Sequence, residues 1–177
     1  MSALSKTKFL TDKEAKALEK TCLARLDDIG ACFILLAHYT GARTSEVLAV
    51  RQTDLVEGSV LIRGLKGSLD RELPLPDKLF KVLKKLPGPQ LFTFHRSTAM
   101  RHWAMYRPNP NRSLHSLRHT LALRLYKETK DIRLVKYVLG HKSIHNTMKY
   151  ADYAYSQGEL RRVIDGSFHR EGRRDAV

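Results

Sequence analysis

The sequence predicts a mainly helical α+β domain with a small antiparallel β-sheet at one edge. Three observations carry this reading. Apolar residues recur at helical spacing over most of the chain. Two short β-type runs, Ser59-Val-Leu-Ile-Arg63 and Arg71-Glu-Leu-Pro-Leu75, flank a glycine-bearing turn. Gly41 and Gly140 each follow an apolar helical stretch as stop signals. With 177 residues, 42% of them hydrophobic, the chain suffices for one domain with a real core.

The elements follow in order. Thr11 and Glu14 form a T-x-x-E capping box that opens a helix to about Ala24. Asp27 or Asp28 caps a second, very apolar helix through Tyr39, and a short helix runs from Ser45 to about Val50. After the two strands, Leu79, Val82, Leu83 and Leu86 line one face of a helix from Pro76 to Leu86. Pro87-Gly-Pro89 stops it, and Leu91-Phe-Thr-Phe94 is a short extended piece. Helices are expected from Thr98 to Tyr106, Leu114 to Lys127, Asp131 to Leu139, from Ser143 through Tyr150, and from Gln157 to Ile164. Residues 1–8 form a loose basic N-terminus, 9–155 the domain, and 156–177 a basic tail.

Lys and Arg number 32 against 18 Asp and Glu, a net charge of +14. Such a charge calls for a polyanion, most often nucleic acid. No run of about 18 apolar residues appears, which excludes a membrane-spanning helix. Cys22 and Cys32 sit among apolar residues without CxxC or paired-His spacing; they read as reduced core thiols in a reducing cytoplasm, not as a metal site.

Arg43, Lys66, His115, Arg118, His141 and Tyr150 occur in an order that suits phosphate chemistry. Forked guanidinium groups match the non-bridging oxygens of a phosphodiester, which lysine cannot copy. Histidine hydrogen-bonds phosphate or moves a proton near neutral pH, and a tyrosine can attack phosphorus. The local contexts go further. Gly41-Ala-Arg-Thr-Ser-Glu46 reads G-x-R-x-S-E, His115-Ser-Leu-Arg-His-Thr120 reads H-x-L-R-H-T, and Leu139-Gly-His141 reads L-G-H. Tyr150 lies nine residues after His141, and His141 lies 23 after Arg118. Lys66-Gly is followed by Asp70-Arg71 and Pro74-Leu75. In this order and spacing the boxes resemble the tyrosine recombinase, or phage integrase, family from about Phe9 to Ala154.

The resemblance implies the catalytic domain of a site-specific DNA recombinase that cleaves and rejoins DNA through a 3′-phosphotyrosyl intermediate. It implies that Arg43 and Arg118 clamp the scissile phosphate, each such donor contributing on the order of 3 kcal/mol. His115 and His141 contact the phosphate, Lys66 on a mobile hairpin protonates the leaving 5′ oxygen, and Tyr150 is the nucleophile. Glu46 supports Arg43. His119 either supports the site or only hydrogen-bonds a neighbouring backbone group. Tyr153 and Tyr155 are competitors for the nucleophile's role, and the nine-residue spacing favours Tyr150. No metal and no cofactor is expected. The partner is double-stranded DNA, bound by a homo-tetramer that is a monomer when free, with DNA-bending proteins as accessories.

The chain departs from most of the family in having no room before Phe9 for an N-terminal clamp domain. It is expected to be either an excised catalytic domain or a single-domain enzyme similar to the fimbrial inverting recombinases. Leu160, Val163 and Ile164 give the tail an apolar stripe, expected to dock on a neighbouring protomer or to fray beside DNA, as are Arg161, Arg162, Arg170, Arg173 and Arg174. The alternatives are a type IB topoisomerase-like relaxing enzyme, a non-catalytic DNA-binding regulator of the same fold, and a plain basic RNA-binding protein.

Overall fold

The computed structural model describes residues 8–154 and 157–168. The chain runs through α1 (Asp12–Leu23), α2 (Ile29–Thr40), α3 (Thr44–Leu48), a single 3-10 turn at Gln52–Asp54, β1 (Leu55–Val56), β2 (Ser59–Ile62) and β3 (Arg71–Pro74). It continues through α4 (Asp77–Lys84), α5 (Arg96–Tyr106), α6 (His115–Thr129), α7 (Ile132–Leu139), α8 (His145–Ala154) and α9 (Gln157–Phe168). The sheet has the order β1-β2-β3 and is antiparallel throughout, with Val60 opposite Leu73 and Ile62 opposite Arg71.

The start and stop signals act as the sequence suggests. Thr11 Oγ1 accepts from the Glu14 amide while Glu14 Oε2 accepts from the Thr11 amide, the full capping box. Asp28, not Asp27, caps α2 by accepting from the Gly30 amide at 2.6 Å. Asp131 caps α7 in the same way. Gly41 and Gly140 both end their helices in the left-handed conformation. At Gly140 a side chain is also excluded by space, since a Cβ would lie 2.8 Å from both Leu69 O and Arg71 Nη1.

α2 is the centre of the main core. Cys32, Phe33, Ile34, Leu35 and Leu36 are all fully buried, because α1, α5 and α6 enclose the helix on several sides. A helix that is apolar all round demands such enclosure. Cys22 and Cys32 are buried free thiols, and burial pushes both up, to about 12 and about 11. Phe33, Phe92 and Phe94 pack ring against ring. A second, smaller cluster joins Ala122, Leu123, Tyr126, Val135, Leu139 and Tyr150 between α6, α7 and α8.

The extended piece Leu91–Phe94 joins no named strand: Leu91 and Phe92 are buried as core plugs, and Gln90 beside it makes one bridge with Arg51. Two local expectations change. β1 was not expected, because two residues carry no periodicity; its register comes from pairing with β2. Pro76 stands at the N-cap of α4 rather than inside its first turn. Pro74 closes β3 at the sheet edge, where a missing amide donor costs least. Of the tail, Leu160 is half-buried and Val163 and Ile164 are exposed, while Tyr155, Arg170, Arg173 and Arg174 lie outside the described residues.

Candidate active site

The helix stops deliver the site. The turn after α2 places Arg43 at the N-cap of α3, and the turn after α7 carries His141. The β2–β3 connection is fastened to both: the Leu69 amide donates to Gly140 O at 2.9 Å, and Arg43 donates through Nη1 to Ser68 Oγ. Arg43 also donates through Nη1 to Glu46 Oε1 at 3.0 Å and through its amide to Glu46 Oε2. Arg43 and Glu46 thus form an ion pair. The Arg43 side chain stays 34% exposed.

Glu46 has a second partner that the sequence reading did not include among the site residues. Arg71 donates through Nη2 to Glu46 Oε2 at 2.9 Å, with both side chains at zero exposure. Arg71 Nε also donates to Val138 O at 2.8 Å, so one buried arginine joins β3, α3 and α7. The strand pattern carried the signal: Arg71 shares its inward face with Leu73, and an inward arginine needs a buried acid. Burial alone would raise the Glu46 carboxyl, but Arg71 and the Arg43 amide outweigh it and hold it below the usual carboxylate range.

α6 contributes three side chains in one turn and a half. Arg118 is buried and donates through Nη1 to Gly41 O and through Nη2 to Leu139 O, both at 2.7 Å. It thus reads the C-terminal ends of α2 and α7 at once. Burial, with Arg43 nearby, lowers its pKa to about 10, which leaves it protonated at neutral pH. His115 and His119 stack edge to face, with ring centroids 4.7 Å apart. His119 Nδ1 lies 2.9 Å from Tyr150 Oη. The partner of His119 is thus the tyrosine hydroxyl and not a backbone group. Thr120 of the same box has a structural task, accepting from the Leu10 amide at 2.8 Å and anchoring the chain's entry to the core.

α8 carries Thr147 and Tyr150, both at zero exposure. Thr147 Oγ1 lies 2.9 Å from His141 Nδ1, so each of two histidines meets a hydroxyl of α8 through Nδ1. Lys149 sets its ammonium 5.2 Å from the Tyr150 ring centroid. Neither Lys149 nor Thr147 was singled out in the sequence, because a lysine and a threonine in a basic helix carry no distinguishing pattern. Tyr153 packs edge-on against Phe9 at 5.2 Å, away from this hydroxyl. Lys66 is exposed in the β2–β3 turn with φ of 52°.

The electrostatics are those of a cationic pocket. Burial lowers His115 to about 4, and Arg118, Lys149 and Arg43 add to the effect. Burial lowers His119 and His141 to about 3, with further cationic neighbours acting in the same direction. All three imidazoles are therefore neutral at pH 7. Burial raises the Tyr150 phenol to about 12, although Arg118 and Arg43 favour its anion. Such a set stabilises charge that develops on a phosphoanion. Among the described residues no three His, Cys, Asp or Glu side chains are grouped to hold a metal ion, and no helix is long and apolar enough to cross a membrane.

The phage integrase family model matches residues 8–157. A protein of Thermosipho africanus named tyrosine recombinase is 32% identical over 163 residues, covering 82% of this chain and 57% of that protein. The type 1 fimbriae regulatory protein FimE of Escherichia coli K12 is 27% identical, covering 83% of this chain and 86% of that protein. The solved catalytic domain of bacteriophage HP1 integrase superposes with a TM-score of 0.65 at 26% identity, covering 89% of this chain and 93% of that one. The chain thus spans little more than half the length of the Thermosipho relative and nearly all of a catalytic domain.

Proposed function

The chain belongs to the phage integrase family, and from that premise we propose that it is a site-specific DNA recombinase working through a 3′-phosphotyrosyl intermediate. The observation that carries the reading is one buried tyrosine hydroxyl among two arginines and three neutral histidines. Tyr150 Oη attacks the scissile phosphorus. The Oη–P bond forms, the P–O5′ bond breaks, and the 5′ oxygen takes a proton from Lys66. Arg43 and Arg118 bear the charge on the non-bridging oxygens, and His115 and His141 donate to them. The bond energy stays in the phosphotyrosyl link, so a free 5′ hydroxyl from a second strand reverses the step and restores Tyr150. Glu46 fixes Arg43 from one side and Arg71 from the other.

Integration, excision and inversion are the outcomes this chemistry serves. Double-stranded DNA is the partner, and the net charge of +14 supports it through phosphate contacts. The acting form on two sites is a homo-tetramer assembled from monomers. The apolar stripe of α9, with Val163 and Ile164 exposed, docks on a neighbouring copy. Accessory DNA-bending proteins and a cytoplasmic location belong to the same reading.

The test uses supercoiled plasmid carrying the flanks of the chain's own gene, in EDTA without ATP and quenched with SDS. A protein–DNA adduct that is absent from Tyr150→Phe supports the reading. DNA binding without any adduct would favour a non-catalytic regulator, and relaxation with no exchange between two sites a topoisomerase-like enzyme.

A further inference from the structure

We infer that His119 is a further catalytic residue, which takes the phenolic proton of Tyr150 on Nδ1 as the Oη–phosphorus bond forms. The inference rests on the recombinase reading above. Its basis is geometric. A general base must lie within hydrogen-bond reach of the proton it removes, and His119 Nδ1 is the ring nitrogen at 2.9 Å from Oη. His115, first in the same sequence box, stacks on the His119 ring instead. His119 is buried, and its ring also borders a recess of about 380 Å³ lined by Lys8, Asn111, Ser113, His115 and Ser116. A phenol donates more readily than it accepts, so Nδ1 is the acceptor and Nε2 carries the hydrogen.

The step balances. The Oη–H bond breaks, its proton goes to Nδ1, and His119 becomes an imidazolium. The Oη–P bond forms as P–O5′ breaks. In religation the same proton returns to Oη.

The groups facing His119 explain why the base is silent without DNA. His115 and Arg118 on its own helix, Lys149 on α8 and Lys8 before α1 all disfavour a charge on its ring. Burial, not these cations, holds the proton on Tyr150, whose side chain has no exposed surface. A phosphodiester seated on Arg43 and Arg118 brings the anion that offsets these cations, so His119 gains basicity only when substrate is present. The arrangement keeps a DNA-breaking nucleophile inert in the free protein.

Two measurements decide it. The first uses the DNA-free chain labelled with 15N-histidine: two-bond 1H–15N spectra should show His119 Nδ1 unprotonated, with a shift that changes in Tyr150→Phe. A protonated Nδ1, or a signal indifferent to Tyr150→Phe, overturns the inference whatever DNA does. The second is single-turnover adduct formation on the plasmid used above. His119→Asn keeps a hydrogen-bonding atom near the Nδ1 position but no basic nitrogen, so it should fold and lose on the order of 10²-fold in rate. His119→Ala should lose as much and recover partly with added imidazole. A duplex with a 5′-bridging sulfur at the mapped cleavage point needs no leaving-group proton, so it should rescue Lys66→Ala and not His119→Asn. A rate for His119→Asn within about twofold of the parent chain overturns the inference. Absence of any adduct from the parent chain instead overturns the recombinase reading, which the NMR result leaves separate.

Discussion

The two apolar clusters of this molecule are built differently. The larger one surrounds α2 and draws on α1, the sheet, α4 and α5, with fully buried Phe33, Ile34, Leu35, Leu36, Leu79 and Phe92. The smaller one holds Ala122, Leu123, Tyr126, Val135 and Leu139 around Tyr150, and its largest fully buried side chain is the one with a reactive hydroxyl. The first is made for permanence. The second rests on fewer side chains and on hydroxyl–imidazole bonds, which places the helix bearing Tyr150 in the part of the fold that opens most easily. On the proposed reading Tyr150 must become accessible to meet a phosphate, and the smaller cluster is where such opening costs least.

The comparison can be broken at several points. The largest effect is expected from Tyr150→Phe, which should abolish the SDS-resistant adduct. It should shift stability by only about 1 kcal/mol, the loss of one buried hydrogen bond; a large unfolding shift would make Tyr150 a core residue first. Phe33→Ala in the large cluster should cost about 3–5 kcal/mol and lower one cooperative transition. Leu123→Ala in the small cluster should cost about 2 kcal/mol and show first as faster amide exchange in α8, measured by hydrogen–deuterium exchange. Equal protection of α2 and α8 in the parent chain would refute the contrast.

The joint between the regions is the buried pair Arg71–Glu46. Glu46→Ala strands Arg71 without its acid and should cost about 3–5 kcal/mol in denaturant melts, as well as the adduct. Acid should act on both regions in sequence. His115, His119 and His141 are held below their unfolded value of 6.5, at about 4, 3 and 3. The unfolded chain therefore binds more protons between those values, and the stability these histidines contribute above pH 6.5 drains as pH falls through 4 toward 3. The depressed Glu46 carboxyl acts lower, as pH falls from the unfolded carboxylate value through its folded one. His119→Asn should shrink the histidine part of this loss in a pH series of thermal melts and leave the Glu46 part. The smallest effect is expected from Lys66→Ala: within about 0.5 kcal/mol in stability, since the side chain is exposed, yet with a clear loss of cleavage.

Much of this was legible from residue types alone, for reasons particular residues make plain. Thr11, Asp28, Asp131, Gly41 and Gly140 set helix ends through local hydrogen bonds and backbone conformation, so no distant contact was needed to read them. Local signals did not show that the extended residues Leu91 and Phe92 plug the core beside α2. They failed at β1, a strand made by its neighbour.

The candidate site divides along the same line. Order and spacing picked out Arg43, Lys66, His115, Arg118, His141 and Tyr150, because a family's chemistry demands fixed residue types at fixed separations on helices and turns. Which atom meets which was decided only by tertiary structure. Arg118 spends two donors on the carbonyls of Gly41 and Leu139, residues 77 and 21 positions away. Arg71 finds Glu46 across 25 positions, and His119 rather than His115 meets the hydroxyl of Tyr150 across 31. Hydrogen bonds are short-ranged and directional. A sequence can therefore name the groups that do phosphate chemistry, whereas the partners that set their protonation and direction exist only once α3, α6, α7 and α8 have packed together.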